Sequence, residues 1–230
     1  METVGKYRHE LKYQISLADY YALRQRLRTI MKSDPHTGAD GRYQIRSIYF
    51  DNFRDKALRE KTDGLQQREK FRIRWYNDDL SFITLEKKIK HNNLCLKVDA
   101  PITEAELKAL LNGDTSWMLN HPQELVRELY CKMQYQQLKP RVVVSYVREP
   151  YIYDAGNVRI TFDSRIRTTL FSRDFLNAGM KDISAQDSPS DMLLEVKYDE
   201  YLPEIISALV QTPGIRQQAF SKYGACRRFG

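Results

Sequence analysis

Arginines and lysines dominate the residues whose spacing can do chemistry. Lys70, Arg72 and Arg74 stand two apart, and Glu86, Lys88 and Lys90 repeat the pattern a few residues later. Side chains two apart share one face of a strand. The charges of each set therefore project together, with Phe71, Ile73 and Trp75, or Ile83, Leu85 and Ile89, on the opposite face. The same alternation puts Arg8, Glu10 and Lys12 on one face, and likewise Tyr146 with Arg148, Arg159 with Thr161, Asp163 and Arg165, and Glu195 with Lys197. For any single strand pair the ordinary reading is a solvated outer face on a half-buried hairpin. Yet like charges opposite one another on a sheet are destabilising. A repeated surface of one sign implies an anion among the cations, and guanidinium and ammonium groups suit phosphate oxygens.

Glu10, Glu86 and Glu195 are the glutamates among these cations. Each has two readings. One is a ligand for Mg²⁺ or Mn²⁺, hard ions that take one or two carboxylates and complete their shell with substrate phosphates. The other is a salt bridge to the neighbouring lysine. The sequence has no Gly-x-x-x-x-Gly-Lys loop, no Gly-x-Gly-x-x-Gly turn and no His/Cys cluster with zinc spacing. Ser221 beside Lys222 is a poor candidate nucleophile, because no motif sets a base next to it. What remains suffices for phosphoryl transfer: cations and a metal to neutralise charge, and two reacting oxygens held in line.

These residues need a scaffold, and the chain is long enough for one. Its 230 residues are 42% apolar and 29% charged, the balance of a soluble globular domain, with no repeat or linker to divide residues 1–230. Lys and Arg number 37 against 30 acids, so the net charge of +7 favours an acidic partner. No apolar run is long enough to span a membrane, and no signal region follows Met1. Cys95, Cys131 and Cys226 are odd in number and widely spaced, which fits reduced thiols and a cytoplasmic location.

Eight strands are expected: 7–15, 43–51, 70–76, 80–90, 94–99, 141–149, 158–165 and 192–198. Ser16 with Asp19 and Thr103 with Glu106 have capping-box spacing. They open two of the expected helices, and others cover about 122–137 and a last one 203–210. Asn77-Asp78-Asp79, His91-Asn92-Asn93 and Asp154-Ala155-Gly156-Asn157 are turns, and 181–190 is a polar loop. Across the polar faces, leaving out the ambiguous second strand, twelve cations stand against five acids. Eight antiparallel strands can close into a barrel that has no exposed edge. The expectation is an α+β fold: an eight-stranded antiparallel β-barrel with a basic interior, a tunnel flanked by helices. Arg165 and Arg167 would carry its cations past Arg159.

The ordered set Arg8-x-Glu10-x-Lys12-Tyr13, Ser47-x-Tyr49-Phe50-Asp51, Phe71-Arg72-Ile73-Arg74-Trp75-Tyr76, Leu85-Glu86-x-Lys88, Tyr146-x-Arg148, Val158-Arg159-Ile160-x-Phe162-Asp163, Leu194-Glu195-Val196-Lys197 and Phe220-Ser221-Lys222-Tyr223 resembles the VTC domains. These are the polyphosphate polymerase branch of the triphosphate tunnel metalloenzymes. The resemblance implies transfer of the terminal phosphate of ATP to inorganic polyphosphate, assisted by Mn²⁺ or Mg²⁺. It places Lys12, Arg72, Arg74, Lys88, Arg148, Arg159 and Lys222 on the reacting phosphates, Lys97, Tyr146 and Ser221 on the chain, and Glu195 on the metal. Arg8, Lys90, Arg165 and Lys197 join them as substrate-binding residues from the face assignment. Two departures matter. Arg8 stands where the broader family has the first glutamate of Glu-x-Glu-x-Lys, which fits the VTC branch. Ala219 stands where eukaryotic members have a lysine, so that cation is missing or comes from Arg216 or Lys90. The membrane and regulatory segments of eukaryotic relatives are absent, as in a bacterial stand-alone domain. The alternatives are a tunnel triphosphatase or polyphosphatase, and a non-catalytic polyanion-binding barrel. Single-stranded nucleic acid is disfavoured because Phe71, Trp75, Phe162 and Tyr198 fall on the apolar face, away from the cations.

Overall fold

The computed structural model describes residues 3–169, 175–177, 179, 181–188, 191–212 and 215–229. Eight long strands carry the architecture: β1 (Arg8–Ile15), β2 (Tyr43–Asp51), β3 (Gln67–Tyr76), β4 (Asp79–His91), β5 (Leu94–Ile102), β6 (Lys139–Tyr153), β7 (Val158–Thr169) and β8 (Met192–Tyr198). They pair antiparallel in the order β7-β8-β1-β5-β4-β3-β2-β6, and β6 pairs back onto β7 to close the ring. The expected fold class is therefore correct. The short segments Thr3–Val4, Lys32–Ser33 and Ile183–Ser184 add to β5, β6 and β7.

The turns that set the ring's register are local. Asn77 and Asp78 form a two-residue loop with φ of 51° and 56° between the paired Tyr76 and Asp79. That left-handed geometry matches strand twist and favours Asn and Asp. Gly156, at φ 70°, turns β6 into β7 where a Cβ would meet the Tyr201 carbonyl oxygen at 2.6 Å. The ring is uneven. β1 meets β5 through only Arg8↔Cys95 and His9↔Leu94. Beyond that short seam the C-terminal segment runs beside β1, with a bridge between Tyr13 and Gln217 and a Gln218 N–H to Lys12 carbonyl bond of 2.9 Å.

Among the described residues six α-helices accompany the strands: α1 (Leu17–Leu27), α2 (Lys56–Thr62), α3 (Glu104–Leu111), α4 (Glu124–Tyr135), α5 (Glu204–Val210) and α6 (Lys222–Cys226). Both expected capping boxes are present, on α1 and α3. Apolar residues on the outer strand faces pack under helices in two cores. Phe71, Ile73, Trp75 and Leu85 meet Leu107, Leu110, Leu125 and Leu129, while Ile160, Phe162, Leu194 and Val196 meet Leu23, Leu27 and Ile206. Burial of each such side chain contributes about 1.5–3 kcal/mol.

A third core lies inside the ring. Ile45, Val142, Val144, Tyr146 and Ile166 pack against Tyr223, Ala225 and Cys226. Helix α6 thus plugs part of the barrel, and 203–210 is not the last helix as its pattern suggested. The plug is tied down through Asp51, which is fully buried at the end of β2. Asp51 accepts the Tyr223 hydroxyl at 2.6 Å and the N–H groups of Ala57 and Leu58 at 2.9 and 3.2 Å.

One register shift changes the interior. Between Ser145 and Val147 on β6, β7 carries an extra residue, and Arg165 adopts φ 52°. A bulge of this kind reverses the alternation beyond it. Ile166 turns inward and is fully buried, while Arg165 is exposed and Arg167 pairs with Asp182 at 2.6 Å. The expected extension of tunnel cations through Arg165 and Arg167 does not exist.

Candidate active site

The part of the ring left open by the plug is a chamber of about 400 Å³. Among the described residues eleven cations line it, against two carboxylates, Glu10 and Glu195. β3 supplies Arg68, Lys70, Arg72 and Arg74 from one face, β4 supplies Lys88 and Lys90, β1 Lys12, β6 Arg148, β8 Lys197, α2 Lys61 and α6 Lys222. Tyr49 and Tyr146 stand among them.

Carboxylates organise the chamber floor. Glu86, buried in the β4 wall, accepts Arg72 Nε at 2.6 Å and lies 3.4 Å from Arg74 Nη1. Arg72 also donates to the Tyr49 hydroxyl at 2.8 Å, and Arg74 to the Tyr146 hydroxyl at 3.3 Å. Asp163, on β7 opposite Arg148, makes a two-point pair with it at 2.7 Å and 2.7 Å. Lys222 Nζ bridges Asp163 at 2.5 Å and Glu195 at 2.7 Å. Glu195 also faces Arg148 and Lys197, both at 3.4 Å, and Lys12 at 3.6 Å. Glu10 accepts Lys88 at 2.8 Å and is 3.6 Å and 3.7 Å from Lys197 and Lys12.

Burial alone would protonate these acids. The surrounding ammonium and guanidinium groups overcome it. Glu195 is held well below the ordinary carboxylate range by Lys222, Lys12, Lys197 and Arg148, and Glu10 by Lys12, Lys88 and Lys197. Lys222 and Lys88 are correspondingly raised despite burial, by Asp163 with Glu195 and by Glu10 respectively. Lys70 has no such partner. Burial first, then Lys12, Lys88, Arg68 and Lys61, bring it down to about 7. Burial also takes Lys197 down to about 8, although Glu195 and Glu10 oppose the shift.

Of the residues expected to form the site, Lys12, Arg72, Arg74, Lys88, Lys90, Tyr146, Arg148, Glu195, Lys197, Ser221 and Lys222 meet in this one chamber. Four do not line it. Arg165 is turned outward by the bulge. Arg8 pairs with Asp199 at 2.7 Å on the rim. Lys97 is 50% exposed and pairs with Asp99 at 3.1 Å. Arg159 points inward by register but is held by Asp34 at 2.6 Å and the Tyr43 hydroxyl at 2.9 Å. Ala219 lines the chamber, and Lys90 stands in the same chamber, whereas Arg216 is exposed.

Three residues that line the chamber carry no site role from the sequence pattern. Arg68 is one: β3 starts at Gln67, so the alternation already ran through it. Tyr49 was lost with the ambiguous second strand. Lys61, on a helix, gave no signal. The two readings of Glu195 are also resolved in part. It does pair with Lys197, as one of four cations. Among the described residues no group of three His, Cys, Asp or Glu side chains could hold a metal ion. The donors present fit a hard cation that arrives with phosphate oxygens and takes one or two carboxylates, here Glu195 and Glu10.

A closed antiparallel ring around a cation-lined chamber is the architecture of the triphosphate tunnel proteins, and known structures agree. An adenylyl cyclase candidate from Hippeastrum, described as having a dominant triphosphatase activity, aligns over 100% of this chain and 96% of its own, at 14% identity and a TM-score of 0.55. An adenylate cyclase candidate from Bacillus halodurans aligns over 84% of this chain and 80% of its own, at 16% identity and a TM-score of 0.50. At these identities the likeness is one of fold. No curated protein matches. The VTC domain family matches residues 7–229, nearly the whole chain, and the chain belongs to that family. Among the described residues no helix is long and apolar enough to cross a membrane.

Proposed function

We propose that the chain is an ATP-dependent inorganic polyphosphate polymerase. The observation that carries this reading is the charge of the chamber: eleven cations line about 400 Å³, and the four carboxylates that pair with them, Glu10, Glu86, Asp163 and Glu195, leave a positive excess that suits a polyanion. Arg72, Arg74, Arg148 and Lys222 are fixed by Glu86, Asp163 and Glu195, so they meet developing charge without reorganising. The terminal oxygen of a phosphate chain attacks the γ-phosphorus of ATP, the bond from that phosphorus to the β,γ-bridging oxygen breaks, and ADP leaves as the chain grows by one unit. Lys12, Lys88 and Lys197 neutralise the acceptor and the leaving diphosphate. Mn²⁺ or Mg²⁺, held by Glu195 with Glu10 and by phosphate oxygens, supplies further charge neutralisation when bound.

The state of the carboxylates favours a phosphate acceptor over water. Glu10 and Glu195 are both held ionised by lysines well below the ordinary range, which makes them weak bases for activating water. An anionic phosphate needs no base. A tunnel triphosphatase is the second reading, favoured by the described activity of the Hippeastrum protein with the same fold. The test is to incubate purified protein with ATP and Mn²⁺ and resolve the product on a gel stained for polyphosphate. A ladder lost in Arg72→Ala and Arg74→Ala, each losing about 2–4 kcal/mol of transition-state stabilisation, is the expected result. Full activity in both variants contradicts the proposal.

A further inference from the structure

The eleven chamber cations fall into two groups. Seven are ion-paired to Glu10, Glu86, Asp163 or Glu195. The other four, Lys61, Arg68, Lys70 and Lys90, have no ion-pair partner among the described residues. They come from three elements, α2, β3 and β4, yet form one cluster. Arg68 and Lys90 are directly opposed across the β3–β4 pair, and Lys70 follows Arg68 on the same face. Lys70 Nζ reaches the Ser221 hydroxyl at 3.4 Å and lies 5.1 Å from the Tyr223 ring centre. All four are half-buried. Two directly opposed cations cost stability, and here neither is ion-paired: Glu10 attracts Lys90, but burial and Arg68 outweigh it. Burial and mutual repulsion lower Lys61 and Lys90 as well as Lys70.

We infer that Lys61, Arg68, Lys70 and Lys90 form a docking subsite for the body of a long inorganic phosphate chain free of bound metal, separate from the carboxylate-braced floor where a triphosphate sits. The inference rests on the reading of the chamber as a phosphate-chain site, and it adds the end at which the polymer lies. A metal–phosphate complex needs carboxylate ligands and belongs on the floor. A bare chain has one negative charge per unit and needs uncompensated cations, and among the described residues of the chamber only this end offers them.

The probes are tripolyphosphate, short enough for the floor, and inorganic polyphosphate of defined length, about 15 units, each titrated calorimetrically into the full chain at fixed ionic strength with EDTA and no ATP. Lys61→Gln and Arg68→Gln are each expected to weaken the long chain at least fivefold while tripolyphosphate binding changes less than twofold. Equal losses for both ligands, or none for either, overturn the inference. Melting temperatures within about 2 °C of wild type confirm that the variants fold. Because no turnover is measured, a failed polymerase assay with selective long-chain loss would reject the catalytic reading and leave the subsite standing.

Discussion

Lys70 and Glu195 sit in one chamber under opposite electrostatic conditions, and each has a measurable consequence. Lys70, brought to about 7 by burial and by Lys12, Lys88, Arg68 and Lys61, is largely neutral at pH 8 in the empty protein. The unfolded chain, with an ordinary lysine, binds more protons between about pH 7 and pH 10.5. Ligand-free stability therefore rises with pH through that window, and below it the penalty for charged Lys70 is complete. A bound phosphate chain restores the ammonium, so binding at pH 8 takes up protons and weakens as pH rises. Calorimetry in buffers of different ionisation enthalpy reads this uptake. Lys70→Arg, charged throughout, should bind without its share of uptake, and an unchanged proton count would contradict the assignment. Glu195 is the converse, a carboxylate among four cations. Glu195→Gln leaves Lys222 and Arg148 under-compensated, at a cost of about 3–5 kcal/mol, and takes away a carboxylate proposed to hold the metal. The expected phenotype is a lowered melting temperature that tripolyphosphate restores, together with a weakened Mn²⁺ response. Wild-type melting and Mn²⁺ titration would leave Glu195 no such role.

Among the elements, α2 and α6 decide the shape of the chamber, and Asp51 joins them. The same carboxylate accepts two α2 N–H groups and the Tyr223 hydroxyl. Asp51→Ala orphans those buried donors and should cost about 2–4 kcal/mol by urea denaturation. It should also loosen Lys61 and Lys222, with reduced polyphosphate affinity. Loss below 1 kcal/mol would mean that the plug is held by apolar packing alone. Lys222 was legible through the resemblance of Phe220-Ser221-Lys222-Tyr223, but neither the helix that carries it nor the reach of Lys61 was. A five-residue helix with Gly224 in it has no periodicity to detect, and Lys61 reaches the chamber only because of how α2 packs on the ring. The strands, by contrast, were legible because most of them alternate between turn formers, such as Asn77-Asp78 between β3 and β4, whereas β2 does not alternate cleanly and its inward face stayed ambiguous. The bulge at Arg165 broke the one strand where alternation was extended furthest. No glycine or proline marks that extra residue; it is visible only in the pairing with β6. Arg159 was placed on the correct face, but its partner Asp34 lies 125 residues away, beyond the reach of any local pattern.

At the scale of the molecule, the ring converts scattered surface-like charge into one enclosed field. The net charge of +7 is modest, but the chamber gathers eleven cations, and only four carboxylates, Glu10, Glu86, Asp163 and Glu195, pair with them. If this field joins two phosphate chains, the acceptor is what must be measured. With ATP, Mn²⁺ and a short polyphosphate primer, ADP and free orthophosphate are to be quantified together over time. A polymerase releases ADP with little orthophosphate, and the primer removes any initial lag because it supplies the acceptor. Orthophosphate appearing one-for-one with ADP, with no growth of the primer, would show water to be the acceptor and contradict the account.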